Sequence, residues 1–96
     1  MIIYQVKIEI DLQVATQWFH WMKTKHVPDV LDTGLIQTAQ IWQSRDQSNL
    51  YYFNYYFGSI SDYEEYHSQY GPKLKADTQD LYGGKFVASR QLLNMV

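Results

Sequence analysis

Leu50-Tyr51-Tyr52-Phe53-Asn54-Tyr55-Tyr56-Phe57 is the stretch whose reading decides the fold. It is too aromatic for a loop and has the length of one central strand. Alternate side chains of a strand point to opposite faces. Tyr51, Phe53, Tyr55 and Phe57 therefore share one face, and Leu50, Tyr52, Asn54 and Tyr56 share the other. The first row is continuously aromatic and is predicted to meet packed helices. The second is aromatic but polar-tipped. Two tyrosines are costly to leave on a bare sheet, so a cover is predicted there too.

Working outward, Ile2 to Ile10 alternates in the same way. Tyr4, Val6, Ile8 and Ile10 face the helices; Ile3, Gln5, Lys7 and Glu9 face away. Asp11 is a candidate cap. Val14, Trp18, Trp21, Met22 and Lys25 come next at helical spacing, which predicts a helix to about Lys25. Pro28 is predicted to interrupt it, and a short helical segment closes at Gly34. Leu35 to Ser44 reads as an edge strand, with Ile36, Thr38, Gln40 and Trp42 in one row. Residues 45–49 form a polar turn into the tyrosine strand. Beyond Gly58, Ser61 and Glu64 have capping-box spacing. Tyr63, Tyr66 and Tyr70 continue helically to a break at Gly71-Pro72. A second piece carrying Leu74 and Leu81 ends at Gly83-Gly84, and Phe86 to Leu93 is the last strand.

The order strand, helix, strand, strand, helix, strand predicts an α+β, ferredoxin-like βαββαβ fold. Residues 1–96 read as one domain, with a four-stranded antiparallel sheet and both helices on one face.

Composition narrows the function classes. The 96 residues include nine tyrosines and three tryptophans, side chains suited to surfaces dry at one end and wet at the other. A net charge of -2 argues against nucleic acid or an anionic membrane as partner. With no cysteine, disulfides, thiolate nucleophiles and cysteine metal sites are excluded. No signal peptide or membrane-length apolar run is visible, so a cytoplasmic location is expected. Nothing in the chain calls for a cofactor.

The sheet face away from the helices supplies one candidate ligand site. Tyr52, Asn54 and Tyr56 offer phenol and amide groups for a small polar aromatic ligand. Arg90 would add a cation for a carboxylate if its row faces the same side, a parity the sequence leaves open. The competing reading of the tyrosines is a dimer core with satisfied hydroxyls. Trp42, among glutamines on an edge strand, also suits a subunit contact.

His26 is the candidate catalytic base, with Asp29 one helical turn on. The plainer reading is a histidine at a helix end, where a cation is favoured. His20, His26 and His67 lack the spacing of a metal site. An RNA-recognition reading fails on the third strand, which lacks the basic-glycine opening of that module.

Several local words resemble a bacterial family known as domain of unknown function 4286. They are Met1-Ile2-Ile3-Tyr4, Trp18-Phe19-His20-Trp21-Met22, His26-Val27-Pro28-Asp29-Val30-Leu31 with Thr33-Gly34-Leu35, and Lys85-Phe86-Val87-Ala88-Ser89-Arg90. The chain is also similar to the dimeric α/β-barrel superfamily. That resemblance implies a homodimer, two sheets packed face to face, and a small ligand between them. Related barrels include cofactor-independent monooxygenases and isomerases, which implies an alternative reading as a small enzyme. His26 would be its base, with Tyr52, Tyr56 and Arg90 positioning the substrate.

Overall fold

The computed structural model describes residues 1–96. Four strands, β1 (Ile2–Ile10), β2 (Thr38–Gln43), β3 (Leu50–Phe57) and β4 (Phe86–Asn94), form one antiparallel sheet in the order β2-β3-β1-β4. The two strands with the cleanest apolar alternation, β1 and β3, take the centre. Helices α1 (Ala15–Trp21), α2 (Val27–Leu31), α3 (Ile60–Gln69) and α4 (Gly71–Tyr82) cover one face. This is the ferredoxin-like α+β fold that the element order predicts. No helix is long and apolar enough to cross a membrane.

The aromatic row of β3 forms the floor of the core. Tyr51, Phe53, Tyr55 and Phe57 are all buried, as are Tyr4, Val6, Ile8 and Ile10 beside them. Trp18 from α1 meets Phe53 edge-on, with ring centroids 5.9 Å apart. Tyr63 from α3 meets Phe57 in the same way at 5.4 Å. Burying each large side chain contributes roughly 1.5–3 kcal/mol, so this row anchors both α1 and α3.

Pro28 does not interrupt the first helix. The chain passes from α1 through a π-helical turn, Met22–His26, directly into α2. The Val27 N–H reaches back five residues to the Met22 carbonyl. A proline ring crowds the carbonyl four residues earlier and donates no hydrogen bond. Widening the preceding turn by one residue relieves both problems. Each added residue also rotates the downstream helix by roughly 100° about its axis.

Three other boundaries move. The cap of α3 is Ser59, whose Oγ accepts from the Asp62 N–H at 3.2 Å; Ser61 lies inside the helix. Asp11 closes the turn before α1 by accepting from the Gln13 N–H at 2.9 Å, and the N-cap position falls at Val14. β2 is shorter than its alternation suggests. Gly34, at φ +80°, ends the helical stretch. Ile36 then drops into the core before the Gln37 N–H joins the Tyr56 carbonyl at 2.8 Å.

Candidate functional site

Strand register decides which side chains can meet. Asn54 pairs with Gln5 and with Gln40, and Gln5 pairs with Gln91. A single row of amides thus crosses all four strands on the helix-free face. Gln5 donates to the Asn54 Oδ1 at 3.0 Å, and Gln91 donates to the Gln5 Oε1 at 2.7 Å. At the β2 end, the Gln40 Oε1 accepts from the Tyr56 hydroxyl at 2.9 Å and from the Trp42 indole N–H at 3.1 Å. The Lys7 ammonium sits 5.9 Å from the centre of the Tyr52 ring. The polar tips of this face are thus largely engaged with one another.

Arg90 is not among them. It pairs with Val6, whose side chain faces the helices, so Arg90 points to the helix side. The structure therefore separates the sequence-derived ligand group: Tyr52, Asn54 and Tyr56 lie on one face, and Arg90 on the other. The cause is parity in β4, where Phe86, Ala88, Arg90 and Leu92 form the inward row.

Between sheet and helices lies a cavity of about 550 Å³. Its floor is Val6, Ile8, Phe53 and Ala88, and α4 supplies Leu74, Lys75 and Thr78 to its wall. His26, from the π-helical turn, and Arg90 both line it. The structure brings those two predicted residues together across an apolar chamber of small-molecule size, the usual range being roughly 300–1,000 Å³.

His26 is held by contacts other than the expected one. Asp29 pairs with Lys25 at 3.0 Å. The His26 ring lies over Trp21, centroids 5.3 Å apart, and its Nδ1 is 3.4 Å from the Thr78 Oγ1. Thr78 also lies 3.3 Å from the Leu74 carbonyl, which only a donor can satisfy. A hydroxyl has one hydrogen. With it directed at Leu74, the Thr78 oxygen accepts from Nδ1–H and leaves the imidazole lone pair on Nε2. Burial pushes the His26 pKa down to about 4, outweighing the opposing pull of Asp29 and Asp77. The imidazole is neutral at pH 7.

Sequence reasoning missed the phenols of this chamber. Tyr4, Tyr55 and Tyr66 all line it. Burial raises the pKa of each, so all three remain protonated and able to donate. Strand alternation and helical spacing marked them as core, and nothing in a one-dimensional pattern shows that a core has a gap. Away from the cavity, His67 is exposed and stacks on Tyr63 at 5.7 Å. No three His, Asp or Glu side chains converge as metal ligands would.

The fold recurs among solved structures. A structure described as an antibiotic biosynthesis monooxygenase superposes with a TM-score of 0.76 at 8% identity, covering 100% of this chain and 99% of the other. SnoaB from Streptomyces nogalater, described as a cofactor-independent oxygenase, gives 0.76 at 10% identity, over 99% and 92% of the two chains. An ethyl tert-butyl ether D (EthD) family protein from Bacillus halodurans gives 0.69 at 12% identity, over 100% of both. At these identities the likeness concerns the fold alone. Among curated proteins, none matches the sequence. The family described as Domain of unknown function (DUF4286) matches residues 1–96, a span that contains every one of the family-like words, and this chain belongs to it.

Proposed function

We propose that the chain binds a small ring-bearing molecule between its sheet and its helices, and that His26 removes a proton from it. The observation that carries this reading is the cavity of about 550 Å³ reaching a histidine that burial keeps neutral. A base whose conjugate acid titrates near 4 is weak. It abstracts protons only from acidic positions, such as a phenol or a carbon beside a carbonyl, and only if the anion formed is stabilised. Tyr4, Tyr55 and Tyr66 supply donors for that anion. The fold likeness to SnoaB, described as a cofactor-independent oxygenase, is in keeping with chemistry done by side chains alone.

A direct test monitors proton exchange at the α-carbon of 2-tetralone in D2O by NMR. Exchange above the buffer rate is expected for the wild type and its loss in His26→Ala, with the circular dichroism spectrum unchanged. An equal rate in both proteins removes His26 as the base.

The helix-free face supports a second element of the reading. Trp42 and Val87 are exposed on it, and no helix of the chain covers it. A second copy laid face to face would cover Tyr52, Asn54 and Tyr56 and extend the amide row by self-complementary hydrogen bonds. The three residues then serve as subunit contacts.

A further inference from the structure

The charges around the helix-side cavity are one-sided. Its walls carry two cations, Arg90 on β4 and Lys75 on α4, and no carboxylate. The ion pairs in the molecule join Lys25 to Asp29 and Lys73 to Asp77, so the acids nearest His26 already have partners. Arg90 has no such pair. Its side chain is solvent-exposed and lines the cavity, and its cation opposes the burial-driven rise in the pKa of Tyr4 and Tyr66. It also acts on Lys75, whose pKa is lowered first by burial and then by the Arg90 cation. Both side chains are solvent-exposed, so they stand at the mouth of the cavity, where no lining carboxylate neutralises them.

We infer that the cavity is built for a monoanionic aromatic acid. Its carboxylate would sit between Arg90 and Lys75 and its ring over Phe53 and Ala88. Guanidinium groups bind carboxylates through two parallel hydrogen bonds, and the phenols nearby add donors without adding negative charge. The aromatic and aliphatic floor suits a flat ring. This inference rests on the cavity being the ligand site. It adds the ligand's charge, and it assigns Lys75, which the family resemblance and the sequence pattern do not mark.

The test compares two probes of nearly equal shape, 2-naphthoate and its neutral amide 2-naphthamide, by titration calorimetry at low salt. Amide-resolved NMR locates each. The acid is expected to bind on the order of tenfold more tightly, with shifts at Val6, Thr78 and Ala88. In Arg90→Gln with Lys75→Gln that preference is expected to fall to about one, with the larger loss on the acid. Arg90→Lys should retain part of it, which separates charge from folding damage. Equal affinities in the wild type would overturn anion selection and leave the cavity reading standing. A preference unchanged in the double variant would overturn the assignment to Arg90 and Lys75. Binding of neither probe, or shifts confined to Tyr52, Asn54 and Tyr56, would overturn the cavity reading together with this one.

Discussion

His26 shows how one side chain can tie site chemistry to stability. Its folded pKa of about 4 lies below the unfolded value near 6.5. The folded state therefore binds the proton less tightly than the unfolded chain. The neutral imidazole costs nothing above pH 6.5, and stability falls as pH drops from there toward 4. The full loss is about 3 kcal/mol by linkage. Urea midpoints of wild type and His26→Gln, measured from pH 7.5 to 4, should diverge in that window, with the variant flatter. An NMR titration should place the His26 midpoint near 4. Parallel curves would mean the ring is better solvated than its contacts indicate. Trp18 offers a second test. It is fully buried, and its indole N–H has no partner. Trp18→Ala should cost about 3–5 kcal/mol from the cavity it leaves. Trp18→Phe should cost less than half as much in urea unfolding, because losing the orphaned donor offsets part of the lost packing.

At the scale of elements, the moved boundaries have local causes that single changes can check. Ser59, not Ser61, caps α3. Ser59→Ala is expected to lose about 1 kcal/mol and Ser61→Ala less than about 0.5. For a domain of this size the first corresponds to roughly 4–8 °C in Tm, well within the resolution of a thermal melt. Equal losses would return the cap to Ser61. The π-helical turn matters more to function. It lets the helix continue past Pro28, and it carries His26 to the wall shared with Thr78. The helical spacing that would place Asp29 one turn beyond His26 does persist across Pro28, yet Asp29 turns to Lys25 and His26 to Thr78.

For the whole molecule, the sheet separates two surfaces with different work. One face closes over a chamber; the other is an open field of amides and aromatics. If a second copy covers the open face, light scattering of the wild type gives twice the chain mass. Leu93→Glu, which puts a carboxylate beside Ile3 on that face, then gives the single-chain mass with an unchanged melting profile at low concentration. A wild-type monomer would remove the face-to-face pairing but leave the chamber intact. The predictions for His26 and for the dimer therefore fail independently.

Element order, both central strands and the two-faced alternation were legible in the residues themselves. Backbone alternation and helical spacing are local properties, and Tyr51, Phe53, Tyr55 and Phe57 state theirs plainly. The sequence also singled out His26 and Arg90 as residues to watch. It could not say that they line one cavity. Their meeting depends on the pairing of β4 with β1, which sets the side of Arg90, and on the extra residue in the turn before Pro28, which sets the direction of His26. The strand pairing is chosen by the core that packs around it, and the wider turn, although Pro28 favours it locally, breaks the regular 3.6-residue spacing on which a reading of the sequence relies. The gap between sheet and helices is likewise a remainder of that packing, and it exists only once Leu74, Phe53 and their neighbours have taken their places.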